Sequence, residues 1–106
     1  MAQFDVHRNG GQHRDAISLV VVVQSSQFDG YRRRVVVPLV RASTLGKTEL
    51  SHFNPTFKIR GTAVVLHPLE IVSVPVGQLG PKVGSLGAEG QQIIAALDEL
   101  LSGAWK

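Results

Sequence analysis

Apolar and polar positions alternate along most of the first three quarters of the chain, and the period changes only near its end. Phe4-Asp5-Val6-His7 alternates as a half-buried strand does, and Asn9-Gly10-Gly11 then supplies residues that tolerate positive φ, a hairpin-turn signal. Ile17 to Gln24 contains the unbroken run Val20-Val21-Val22-Val23, which predicts a strand buried on both faces. Asp29-Gly30 marks the next reversal, and Arg34-Val35-Val36-Val37-Pro38-Leu39 predicts a third strand. Pro38 has no N–H to give a ladder, so it is expected at a sheet edge, a strand end or a bulge. Between Val40 and Asn54 the alternation breaks, which reads as a long excursion with room for one helical turn. Asn54-Pro55 resets the chain. Thr56 to Arg60, Gly61-Thr62 and Ala63 to Leu66 then form a hairpin pattern, and Ile71 to Val76 is the last predicted strand. Five glycines and Pro81 within residues 77–90 argue against a long regular element there.

From Gln91 to Leu101 the period becomes helical. Ile93, Ile94, Leu97, Leu100 and Leu101 fall on one stripe, Gln92, Ala95 and Glu99 face elsewhere, and Gly103 is placed to end the helix. Such a helix either covers a sheet face or helps to join two subunits. The predicted class is α+β, mainly β: an antiparallel sheet with one C-terminal helix.

Composition narrows this further. A chain of 106 residues suits one hydrophobic core, so residues 1–106 read as a single domain. With 43% hydrophobic and 18% charged residues, it has a folding composition. The absence of cysteine removes disulfides and thiolate chemistry. The first residues lack an apolar segment of signal-peptide length, and the run Leu19 to Val23 is far short of the roughly 18 residues of a membrane span. A cytoplasmic protein with no membrane partner is expected. Charge is unevenly spread: residues 1–60 carry nine Lys/Arg against four Asp/Glu, and residues 61–106 carry two against four. A basic first half either draws an acidic partner, nucleic acid or protein, or simply keeps a small domain soluble.

The search for chemistry finds no constellation. His7, His13, His52 and His67 show no metal-ligand spacing, so no metal and no cofactor is expected. Gly77-x-x-Gly80 and Gly84-x-x-Gly87 lack the lysine of a phosphate-binding loop. Asp98 and Glu99 are adjacent on a helix and point about 100° apart, unsuited to paired acid–base work. Tyr31-Arg32-Arg33-Arg34 is either a phosphate contact with a stacking ring or a solvated turn, and alternation favours the turn, with Arg32 and Arg34 on the solvent face. Trp105, close to the last residue, is either loosely packed or a binding hot spot.

Five segments in order carry a resemblance. Val23-Gln24-Ser25-Ser26, Arg34-Val35-Val36-Val37-Pro38-Leu39, Asn54-Pro55, Ser73-Val74-Pro75-Val76 and Ile94 to Gly103 together resemble the CcdB toxin family over nearly the whole chain. The resemblance implies an SH3-like, partly open barrel with a small second sheet and a C-terminal helix, assembled as a homodimer. It implies a toxin of a toxin–antitoxin pair that binds the A subunit of DNA gyrase and traps the enzyme on cleaved DNA. It further implies an antitoxin with an acidic, disordered C-terminal segment that neutralises the toxin and brings it to operator DNA, where the pair represses the operon. The family's gyrase contacts fall here on Gln27, Phe28 and Asp29 after the Gln-Ser strand end, and on Asp98 and Leu101 of the helix. Its terminal motif aligns with Ser102, Gly103 and Ala104, of which only the glycine is kept, and Trp105 stands ready to take over the aromatic role. The resemblance leaves three functions open: the gyrase poison, a homologue that keeps the antitoxin but not the target, and a fold-related endoribonuclease using Arg32 to Arg34 on RNA.

Overall fold

The computed structural model describes residues 1–10, 18–45 and 53–102. In chain order these form β1 (Asp5–Asn9), β2 (Leu19–Val22), β3 (Arg33–Arg41), the single turn α1 (Ala42–Leu45), β4 (Thr56–Ile59), β5 (Thr62–Leu66), β6 (Val72–Pro75), β7 (Leu79–Ser85) and the helix α2 (Gly90–Ser102). All strand pairs are antiparallel, in the order β4-β5-β3-β2-β1-β7, with β6 also on β3. The smaller second sheet is continuous with the main one. β3 pairs β6 along its first half (Val36 opposite Val72) and β5 along its second (Leu39 opposite Leu66). The sheet then curls until its two ends meet. Arg60 Nε donates to the Val83 carbonyl at 2.9 Å, joining the β4–β5 turn to β7 in a half-barrel.

The hairpin forms where its pattern predicts it. The turn lies one residue earlier than Gly61-Thr62: Ile59 pairs Thr62, and Arg60 and Gly61 occupy the two-residue turn with φ of 50° and 80°. Positive φ at both central positions matches the right-handed strand twist. Asn54 and Pro55 fix the hairpin's far end, through Asn54 Nδ2 on Leu66 O and Leu66 N on Pro55 O.

Pro38 departs from its expected place. It is buried in the middle of β3, paired with Val20 of β2. Val35 takes its main-chain bonds on the β2 side, from Val23 N and the Gln24 side chain, so alternate residues such as Pro38 face the other flank. That flank changes partner there, and the Pro38 carbonyl meets His67 N at 3.1 Å beyond the end of β5. The missing N–H falls where no ladder bond was to be made.

β7 is the second departure, a seven-residue strand within the glycine-rich stretch. It lies at the sheet end, its pairing with β1 is interrupted by two register shifts, and Pro81 falls between the paired positions Lys82 and Leu79. Close backbone approach explains two glycines. A Cβ at Gly10 would stand 2.6 Å from the Gln78 carbonyl oxygen, and one at Gly80 would stand 3.0 Å from Arg8.

Two cores result. Inside the curl, Val6, Val21, Val37, Leu39, Val64, Leu66, Ile93 and Ala96 are buried together; on the convex face Val20, Val22 and Val36 are covered by Val74 and Leu79. The run Val20 to Val23 is thus buried on both faces, as predicted, within one chain. β1 is less simple than its alternation. Asp5 and His7 are buried, Asp5 against Ala2 N and Lys82 Nζ, and the His7 Nδ1–H on Gly80 O. The α2 stripe also shifts. Gly90, Ile93 and Ala96 are buried with Leu97 and Leu100 half-buried, whereas Ile94 and Leu101 stay exposed. Gly90 is fixed by Phe4, whose ring would lie 2.5 Å from an added Cβ.

The Gly10→Ala substitution is expected to lower unfolding free energy by about 1–3 kcal/mol, because backbone cannot move aside as a side chain does. Gly77, with open space around a Cβ and no positive φ, serves as the control. Its alanine variant is expected to lose nothing and to gain up to about 1 kcal/mol in urea unfolding.

Candidate partner-binding surface

The Gln24-Ser25 segment performs a structural task before any binding. Where β2 ends, the Gln24 side chain continues its pairing with β3, accepting from Val35 N at 2.9 Å and donating to Arg33 O at 3.3 Å. Ser25 caps the 3₁₀ turn Ser26–Phe28, its hydroxyl accepting from Gln27 N at 3.4 Å. Phe28 N and Asp29 N close the turn on Ser25 O and Ser26 O.

Arg34 fixes the stretch between this turn and β3. It is buried, not on the solvent face as its alternation suggested. Its guanidinium donates to the carbonyls of Tyr31 (2.6 Å), Asp29 (2.8 Å) and Arg33 (2.9 Å), with the Asp29 carboxylate 3.8 Å from Nε. One planar donor thus serves three main-chain acceptors, of which the Tyr31 and Asp29 carbonyls depend on it and the Arg33 carbonyl is shared with Gln24. Arg33 is also engaged, reaching Ser73 Oγ and O at 2.8 and 2.7 Å. The arginine triplet is therefore mostly a bracing device; among its members only Arg32 is left to solvent.

On this braced turn Gln27 is exposed and Phe28 is 44% exposed, its ring set edge-on to Tyr31 with centroids 6.1 Å apart. Asp29 is less available, since its carboxylate also lies 3.1 Å from the Met1 amino nitrogen. On α2, Ile94, Asp98 and Leu101 follow the i, i+4, i+7 spacing and form one exposed line, with Leu101 72% exposed. The Ser102 hydroxyl donates back to the Asp98 carbonyl and closes the last described turn. Gly103, Ala104 and Trp105 lie outside the described residues, as do Gly11, His13 and His52.

Residues 1–4 connect these two parts. Met1 meets Asp29, Gln3 donates to Val23 O, and Gln3 and Phe4 line a groove of about 580 Å³ whose other wall carries Ile94 and Asp98 of α2. The N-terminal segment thus touches the turn at Asp29 and borders the helix line at Ile94 and Asp98. A further apolar strip went unread in the sequence. Leu69, Ile71, Val72 and Val76 are all exposed, running from the 3₁₀ turn Pro68–Glu70 along β6 to the residue bonded to Arg32 O. The signal was present in Ile71 to Val76, a strand with no polar residue but Ser73, but nothing local told which face would stay uncovered. The outward main-chain edge of β6 is blunted by Pro75, which has no N–H, and by Arg33 on the Ser73 carbonyl. Among the described residues no three His, Cys, Asp or Glu side chains gather as a metal site would need, and no helix is long and apolar enough to cross a membrane.

The family model described as CcdB protein matches residues 3–103. No curated protein sequence matches the chain. Among solved structures, a mycobacterial endoribonuclease in complex with its cognate antitoxin is similar with a TM-score of 0.77 at 15% identity, covering 96% of this chain and 95% of that one. At that identity the two share a fold.

Replacing Arg34 with alanine is expected to cost about 2–3 kcal/mol, because it strands buried carbonyls that a charged donor served. Arg34→Lys is expected to recover less than half of that, since an ammonium cannot span three acceptors in one plane. Urea unfolding measures both, and limited proteolysis is expected to cut first near Phe28 in each variant.

Proposed function

Because the chain belongs to the CcdB family, whose members are toxins of toxin–antitoxin systems, we propose that it binds the A subunit of DNA gyrase and holds the enzyme on cleaved DNA. One observation carries this reading. The two segments that the resemblance assigns to the family's gyrase contacts both present apolar side chains to solvent, Phe28 on a hydrogen-bonded 3₁₀ turn and Leu101 on α2. A rigid, unsatisfied apolar surface of this kind suits a partner and serves no folding purpose. Trapping then needs no chemistry: a ligand with higher affinity for one state of a cycling enzyme arrests it there. Gln27 and Asp98 flank the apolar pair as polar rim, and in the sequence Ser102 to Trp105 follows next, with Trp105 proposed as the aromatic anchor.

The working form is a two-fold homodimer in the cytoplasm. Support comes from the exposed Leu69–Val76 strip and not from Val20 to Val23, which a single chain already buries. An antitoxin with an acidic, disordered segment neutralises the toxin and carries it to operator DNA. The antitoxin in the structurally similar endoribonuclease complex supports such a partner for this fold. The endoribonuclease reading built on Arg32 to Arg34 loses its footing, because Arg34 is buried and Arg33 is bonded to Ser73.

Expression without the antitoxin is expected to arrest bacterial growth, with cleaved DNA accumulating on purified gyrase. Phe28→Asp, Leu101→Asp and Trp105→Ala are each expected to abolish that accumulation, and the first two, at exposed positions, to shift the melting temperature by no more than about 2 °C. Growth arrest without cleaved gyrase complexes would reject the target. No arrest, with the antitoxin still bound, would leave the homologue that keeps its antitoxin alone.

Sedimentation at micromolar concentration is expected to give a species of twice the 11.4 kDa chain mass. A clean monomer would overturn the assembly. Antitoxin affinity is expected to fall as salt rises, because exposed charges carry part of the attraction.

A further inference from the structure

At one mouth of the half-barrel the inward-facing rows of the sheet change from valine and leucine to arginine. Arg8 follows Val6 on β1 and pairs with Leu19, and Arg41 follows Leu39 on β3 and pairs with Val64. With a strand spacing of about 4.8 Å and a rise of about 3.4 Å per residue, the two lie roughly 12 Å apart diagonally across β2, within reach of one ligand by their long side chains. Arg60 comes in from the β4–β5 turn. Its Nε is held by Val83 O, and the residue lines a cleft of about 110 Å³ together with Arg8 and Arg41. The cleft floor is Leu19, Ile59 and Val64, and the Ser18 hydroxyl lies at its rim.

Three guanidiniums around one small cleft repel one another, and no carboxylate among the described residues lines it. Among the described residues Arg8 and Arg41 make no ion pair or side-chain hydrogen bond. The other arginine cluster of this protein is spent on its own carbonyls, so the contrast lies in the partners and not in the residue type. An anion with several charges on a flexible chain would relieve the repulsion, and planar forks suit its bidentate oxygens. A peptide gains less here. Arg8 and Arg41 both sit on strands paired on each flank, β1 between β2 and β7 and β3 between β2 and β5, so neither offers a peptide a free edge to pair with. A recess of this size admits the phosphates of a single strand one at a time, whereas a duplex offers them along a rigid convex rail.

We propose that this barrel mouth is a phosphate-binding site that takes the backbone of a single-stranded nucleic acid, with Arg8 and Arg41 on one phosphate and Arg60 on the next. The site binds and does not cleave, and it stands whether or not gyrase is the protein target.

The test uses the full chain and a fluorescein-labelled single-stranded RNA of about 12 nucleotides, followed by anisotropy at low and at physiological salt. The Arg8→Ala/Arg41→Ala pair is expected to weaken binding about tenfold or more at low salt, and to lower the slope of log affinity against log salt by about two. Arg32→Ala removes an equal single charge beyond the far end of β3, about 30 Å away along the strand, and is expected to weaken binding by less than about twofold. Both variants alter exposed side chains, and their thermal midpoints check that the fold is kept. Failure of the RNA to bind, or equal losses from Arg32→Ala, would overturn the proposal. Tighter binding of a duplex of equal charge would overturn the single-strand part, and displacement of RNA by an equal charge concentration of polyglutamate would assign the mouth to an acidic peptide.

Discussion

The shared ladder of β3 is the constraint on which the rest of this molecule depends. One nine-residue strand serves β2 on one flank and both β6 and β5 on the other, so it must change partner along its length. Pro38 marks that change. An ordinary residue there would present an N–H with no ladder partner in the middle of the sheet, at a cost of about 1–3 kcal/mol if buried and unsatisfied. Proline removes the donor, and its carbonyl is taken by His67 as the chain leaves β5 for the 3₁₀ turn Pro68–Glu70. The branch is a direct consequence: β6 is led back onto the first half of β3, and the residues on either side of that crossing, Leu69 to Val76, end up uncovered.

The same strand determines how the candidate surface is held. β2 is too short to pair the start of β3, and the Gln24 amide completes the pairing in its place. Beyond it, the turn that carries Phe28 has its carbonyls gathered by Arg34, which is itself the second residue of β3. An exposed aromatic normally costs a binding partner the entropy of ordering it. Here the ordering has been done within the fold, by groups that contribute no contact of their own to a partner.

How far this was legible in the sequence depended on whether the signal was local. The β4–β5 hairpin is legible from its alternation and from Gly61, although the turn proper is Arg60-Gly61 and not Gly61-Thr62. Val20 to Val23 is likewise legible as doubly buried. β7 is not, because its glycines answer to a neighbour: Gly80 is small for Arg8, and Gly10 is small for the carbonyl of Gln78. On α2 the periodicity reveals the helix and misplaces its inner face by one position, since Ala96 packs inside while the larger Leu101 does not. Small residues allow close approach of the helix to the sheet, and a hydrophobicity pattern undervalues them. Gln27, Phe28, Asp98 and Leu101 come to notice through family resemblance, whereas the brace beneath them and the strip along β6 need coordinates.

Arginine illustrates why composition could raise a question about partners and leave the place unanswered. The first sixty residues carry more than the whole of the excess positive charge, the rest being net negative, and β3 has arginines at both ends. At its start, Arg33 and Arg34 face carbonyls that the branching of the sheet has left without strand partners, and their charge is consumed in closing the fold. At its end, Arg41 continues an inward-facing row past the last apolar layer, and among the described residues its side chain serves no carbonyl. A guanidinium in the first position is a building part, and one in the second is an available charge. The distinction lies in main-chain acceptors nearby, which no count of charges contains. The conspicuous triplet is therefore the less informative basic feature, and three arginines far apart in sequence, Arg8, Arg41 and Arg60, define the more open electrostatic surface.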